Sequence, residues 1–132
     1  MGFRYEFDPV NKILLFRVEG RLTEELIEAI YPTAQKYWTA TGPQMSILDF
    51  SSVTEVALST QFLKELAKRE PVGDATKLPR VIVAPSTFLF GLSRMFQVLG
   101  EHTRPRLQVV KTLDEAFSAL GVQPSPHFES LQ

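Results

Sequence analysis

Cysteine is absent from this 132-residue chain, which excludes disulfides, thiol nucleophiles and thiolate metal sites and is compatible with a reducing cytoplasm. No apolar run approaches the roughly 20 residues needed to cross a bilayer. The opening residues, MGFRYEFD, lack a basic segment followed by an apolar one, so neither a signal peptide nor membrane insertion is expected. Charge imbalance is missing too. Fourteen basic residues stand against 15 acidic ones, a net charge of −1 that gives no electrostatic reason to expect nucleic acid. The glycines form neither a G-x-G-x-x-G nor a Walker phosphate loop. The two histidines, His102 and His127, are 25 positions apart without metal-ligand spacing, and no G-x-S-x-G elbow occurs. They read as surface residues. No metal, no cofactor and no enzymatic activity are expected, and a cytoplasmic location is.

What is present is ordinary globular material. The apolar share of 44% and charged share of 22% support one domain with a sizeable core, expected over residues 1–121 with a loose tail at 122–132. Phe3, Tyr5 and Phe7 alternate with polar residues, and the turn Asp8-Pro9-Val10-Asn11 leads to a second strand at 13–18, an antiparallel hairpin. Gly20 is expected to end that strand. A helix follows, with Glu24 and Glu25 in its first turn and Leu26, Ile27, Ile30 and Ala34 at helical spacing. Pro32 inside it predicts a kink or a restarted turn.

A third strand at 45–50, a hydroxyl-rich loop at 51–58 and a helix at about 60–70 come next, then a polar loop at 71–77. The run Val81-Ile82-Val83 reads as a strand covered by helices. Ser86 then caps a helix whose buried face is expected to carry Phe88, Leu89, Leu92, Met95, Phe96 and Leu99. A last strand at 106–110 precedes a short helix with a capping box at Thr112 and Glu115 and a glycine stop at Gly121. The order β-β-α-β-α-β-α-β-α predicts an α/β domain: a hairpin, then parallel strands joined by right-handed crossovers.

Three segments, LLFRVEGRLTEEL, ILDFSSVTEVALST and TLDEAFSALGV, together with this order, resemble the STAS or SpoIIAA-like domains, the group named for sulfate transporters and anti-sigma factor antagonists. The resemblance covers about residues 3–121. It implies a β-α superhelix with a mixed five-stranded sheet and about four helices, mainly on one face. Residues 84–97 and the helix containing Pro32 resemble uncharacterised bacterial SpoIIAA-like proteins. In the antagonist branch a D-S-S-G loop carries a serine phosphorylated by a partner kinase. Alignment on Leu48-Asp49-Phe50-Ser51 and Val53-Thr54 places Ser59 at that serine. Ala57, Leu58 and Thr60 stand where the aspartate, first serine and glycine would be.

Ser59 thus has two readings, a plain helix N-cap or a phosphosite whose added charge meets the helix dipole. Asp49 reads as an acceptor for the following amides, because no base or metal partner for catalysis is evident. Phe90, Arg94 and Val98 are expected to form a protein-contact patch, or else a surface covered by the arginine stem. Arg21, Asp49, Ser51, Ser52, Ser86 and Thr87 fall at the carboxyl ends of the strands, where open α/β sheets gather ligands. The expected function is a non-enzymatic STAS-like regulatory module working through protein contacts, with an unknown partner or as a homodimer. The alternative is a domain binding a small molecule, an anion or a lipid in the strand-end cleft. An apolar cavity with convergent polar groups would favour the ligand; a packed core with an exposed apolar face would favour the partner.

Overall fold

A computed structural model of the chain describes residues 2–43, 45–73, 78–122 and 126–131. The alternation at the start forms β1 (Phe3–Asp8), paired antiparallel with β2 (Ile13–Thr23). Asp8, buried at the turn, accepts hydrogen bonds from the amides of Val10 (2.9 Å) and Asn11 (3.2 Å) and from Asn11 Nδ2 (2.8 Å). A short carboxylate closing the backbone two and three residues on is the chemistry that favours Asp here. Three further strands lie parallel to β2 in turn: β3 (Met45–Ala57), β4 (Arg80–Val83) and β5 (Leu107–Val110). The intervening helices are α1 (Glu24–Thr41), α2 (Thr60–Lys68), α3 (Thr87–Leu99) and α4 (Leu113–Leu120).

The sheet has six strands, not the expected five, in the order β5-β4-β3-β2-β1-β6. The sixth, β6 (Glu129–Ser130), lies in the stretch expected to be a loose tail and pairs antiparallel with Glu6 and Phe7 of β1. Leu131 N donates to Tyr5 O at 3.0 Å, and Phe128 stacks on Phe117 of α4. Residues 123–125 and Gln132 of that stretch, and 74–77 of the expected polar loop, lie outside the described residues.

Side-chain alternation across the strands builds two cores. On one face Ile13, Leu15, Ile47, Val81 and Val83 meet Ala116 and Phe117 of α4. On the other, Tyr5, Leu14, Val18, Phe50 and Ile82 meet Ile30 and Ala34 of α1 and Leu89 of α3. Each fully buried aliphatic side chain contributes about 1.5–3 kcal/mol. Tyr5 carries a polar tip into this layer, and its hydroxyl donates to the Ile30 carbonyl at 2.8 Å. That bond and the buried Ile30–Ala34 line hold α1 on the sheet across Pro32. The helix runs without interruption over Glu24–Thr41, so there is no restarted turn at Pro32. Proline removes one N–H from the ladder, and Thr33 Oγ1 donates nearby to Ala29 O at 3.4 Å. At its end Gly42 takes the left-handed conformation (φ 57°) and donates its N–H to Trp38 O.

Two boundaries differ from expectation for one reason. Neither β2 ends at Gly20 nor does β3 end at Phe50; the two strands continue as a parallel ribbon, with Gly20 opposite Val53 and Thr23 opposite Ala57. Gly20 sits at φ 75° beside a register shift, so it bends the ribbon rather than ending it. Val53 and Val56 turn inward against the α1-side core while Thr54 and Glu55 face out. The hydroxyl-rich "loop" is strand.

Candidate functional site

Where the ribbon ends, two helices start side by side. Thr23 caps α1, its Oγ1 accepting the amide of Leu26 at 3.1 Å. Ser59 caps α2 in the same way, its Oγ accepting the amide of Phe62 at 3.0 Å. The exposed Ser59 is tied back to α1 as well, because its own N–H donates to Glu24 Oε2 at 2.9 Å. A carboxylate from one helix thus satisfies a backbone donor at the start of the next, a charge-assisted use of the positive helix ends.

The residues expected to share a strand-end cleft fall into two groups. Asp49 is in register with Val83, so Ser51, still within β3, and Ser86, past the end of β4, lie two and three residues beyond that rung. Asp49 is buried; its Oδ1 accepts from Ser51 N (2.9 Å) and Ser51 Oγ (2.5 Å), and its Oδ2 meets Arg17 at 3.1 Å. Arg17 is shared with Glu6 at 2.6 Å. Ser52, in register with Glu19, is exposed. Ser86 caps α3 through the amide of Leu89 (3.1 Å), and Thr87 is exposed beside it. Arg21 stands apart, paired with Glu55 at 2.7 Å on the exposed ribbon. At about 3.3 Å per residue the ribbon carries the end of β3 roughly 20 Å past Ser51, and Ser59 with it.

The α3 helix is turned from its expected orientation. The line facing the sheet is Leu89-Ser93-Phe96, and the neighbouring line Phe88-Leu92-Met95-Leu99 is only partly covered. Phe88 is 65% exposed and Leu99 41%, although the helical spacing predicts both to be buried. Within the expected contact patch, Val98 is 62% exposed and Arg94 is exposed with Nη1 on Gln97 Oε1. Phe90 is half-buried, with Lys111 Nζ 5.2 Å from its ring centre.

A cavity of about 160 Å³ lies between the sheet and α1, α2 and α3. Its walls are apolar, with Ile30, Phe50, Leu63, Leu66, Ile82 and Phe96 among them, and none of the strand-end residues lines it. Its polar groups are Tyr31, Ser46, Arg80, Ser93 and Arg104. Ser46, Arg80 and Leu107 share one rung at the amino ends of the parallel strands, and the Arg104 carbonyl accepts the Leu107 amide. The polar rim is therefore at the opposite end of the sheet from the expected cleft. Arg104 is 6% exposed. Its Nη1 donates to the carbonyls of Ala67 (3.3 Å) and Arg69 (3.1 Å) at the end of α2, and its Nη2 to Tyr31 Oη at 3.0 Å. Its guanidinium lies 5.0 Å from the Phe96 ring centre. Sequence reasoning missed this set. The one available signal was Ser93, a hydroxyl standing in an otherwise apolar helical line.

The same arrangement of strands and helices is found in solved structures. The unphosphorylated form of the anti-sigma factor antagonist SpoIIAA matches with a TM-score of 0.61 at 15% identity, over 92% of this chain and 98% of that one. The chain has the SpoIIAA-like fold. A protein from Shewanella loihica PV-4 described as having a SpoIIAA-like fold matches with a TM-score of 0.54 at 16% identity, over 82% of this chain and 83% of that one. No protein-family profile matches the sequence, and no curated protein does. Among the described residues, no helix is long and apolar enough to cross a membrane, and no group of three or more acidic, histidine or cysteine side chains is placed to hold a metal.

Proposed function

We propose that this chain is a regulatory module that works by docking to another protein, with α3 as its contact face. The observation that carries the reading is the half-covered line Phe88-Leu92-Met95-Leu99, spaced i, i+4, i+7, i+11, with Val98 exposed beside it. An apolar stripe left open to solvent on one helix is the form of a helix-mediated contact. The fold adds support, because its neighbour SpoIIAA is an anti-sigma factor antagonist, a protein defined by an effect on another protein. On this reading the expected patch at Phe90, Arg94 and Val98 contributes its exposed members, Arg94 and Val98. The partner is another protein or a second copy of this chain.

Ser59 is the proposed point of control. A phosphate there carries about −1.5 to −2 charges and sits at a positive helix end, yet it meets the Glu24 carboxylate that already holds the Ser59 amide. Like-charge repulsion then works against the α1–α2 contact.

The docking test is a photo-crosslinking amino acid placed at Phe88 in the host cell, with Asp114 on α4 as the control position. A discrete adduct at 88 and none at 114 is expected. Equal labelling at both positions, with light scattering unchanged by Phe88→Glu, overturns the reading. Mass spectrometry of Ser59 from the same cells tests the control point separately; consistent lack of phosphate removes it.

A further inference from the structure

We propose that the cavity between the sheet and α1–α3 binds a compact organic acid, an apolar body of about one ring whose carboxylate is held at Arg104. The inference goes beyond the docking reading and rests on different residues. Size sets the first limit. About 160 Å³ is close to the roughly 150 Å³ of an engineered apolar cavity that accepts benzene, so one ring or a short branched chain fits and a long acyl chain does not.

Chemistry sets the second. Two serine hydroxyls line this apolar space, Ser46 from β3 at 7% exposure and Ser93 from α3 at 5%. Few polar groups on an otherwise apolar wall set where a ligand's polar atoms can be met, and these two serines are among them.

Charge sets the third. The partners of Arg104 are neutral oxygens: two carbonyls, the Thr103 hydroxyl and the Tyr31 hydroxyl. The end of α2 supplies a partial negative charge of about one half, which leaves the guanidinium short of full compensation. A carboxylate supplies the remainder as a charge partner beside the guanidinium. Ser93 and Phe96 are three residues apart on one face of α3, and the Arg104 guanidinium lies 5.0 Å from the Phe96 ring centre. The hydroxyl, the aromatic wall and the cation are thus parts of one corner of the cavity.

The experiment is calorimetric titration of the whole chain at neutral pH with benzoate, phenylacetate, cyclohexanecarboxylate and 4-methylpentanoate, each beside its neutral amide. At least one acid is expected to bind, about tenfold more tightly than its amide, the increment of a charge-assisted contact. Ser93→Leu, which fills the cavity from α3, is expected to abolish binding while circular dichroism shows the fold retained. Arg104→Gln is expected to erase the preference for the acid over the amide. Because Arg104 also holds the end of α2, nuclear Overhauser contacts from the ligand to Leu63 and Phe96 of the unmodified protein give a reading independent of that variant. No binding by any of the acids into the millimolar range overturns the proposal, as does equal affinity for acid and amide. Affinity that survives Ser93→Leu overturns the site.

Discussion

The two faces of one sheet are built to different ends. On the α4 side, Ile13, Leu15, Ile47, Val81 and Val83 are shut away under Ala116 and Phe117, and further along the same strands Arg17 bridges Glu6 and Asp49. On the other side three helices cover the same strands, and the covering leaves a cavity lined by two serines and a buried guanidinium. Strand alternation supplies both faces from neighbouring residues, so the contrast does not come from the strands. It comes from the lids: one short helix settles onto the sheet, whereas three helices meeting over it leave space at their junction. The close-packed cluster under α4 contributes stability, and the three-helix side leaves space beside a buried guanidinium.

The sharpest way to break this comparison is to open the closed face. Phe117→Ala removes the ring that α4 seats on the sheet and its stack on Phe128, and should cost about 3–5 kcal/mol in urea denaturation. A matched pair of insertions comes next. Ala116→Met drives a larger side chain into the dry cluster and should cost about 1–3 kcal/mol. Ala34→Met points the same increment at the cavity and should cost less than about 0.5 kcal/mol or stabilise. Equal losses for the two would show that the faces are packed alike.

Smaller effects sharpen the polar side of the contrast. Burial, and then the neighbouring Tyr37, raises the Tyr5 phenol above its ordinary pKa of 10.0. The unfolded chain releases that proton first, so stability holds below about pH 10 and declines as pH rises above it. Tyr5→Phe should cost about 1 kcal/mol at neutral pH, through the lost bond to Ile30 O, and should blunt the alkaline decline. Ser59→Ala, at the rim of the same face, should cost about 1 kcal/mol or a little less through the lost cap.

Local chemistry was legible in the sequence. The Asp8 turn, the caps at Ser59 and Ser86, and the Thr112–Glu115 capping box each involve residues a few positions apart, so their pattern is written in adjacent letters. The α/β order and the parallel strands followed from those elements. What failed to show depends on distant pairings. Residues 51–57 have turn-like composition at Ser51-Ser52 and become strand because Glu19–Thr23 lies alongside. The orientation of α3 followed from which of two adjacent apolar lines the sheet and α2 accept, and spacing alone places Phe88 and Leu89 equally well. The cavity is a difference between the volumes of three helices and one sheet. No local pattern encodes it, and Arg104, between Thr103 and Pro105, carried no sign of burial.

The two-residue strand β6 has a consequence for how copies of this protein meet. A sheet with open flanks offers rows of unpaired amides and carbonyls that recruit strands from other chains. Here Glu129 and Ser130 occupy the middle of one flank, and at the other Gln97 Nε2 bonds to the Leu107 carbonyl of β5 at 2.7 Å. Both outer strands thus carry a small stopper, one from the backbone and one from a side chain. Removing residues 126–132 would uncork the β1 flank, and the shortened chain should grow by edge-to-edge stacking, an aggregation route distinct from helix docking.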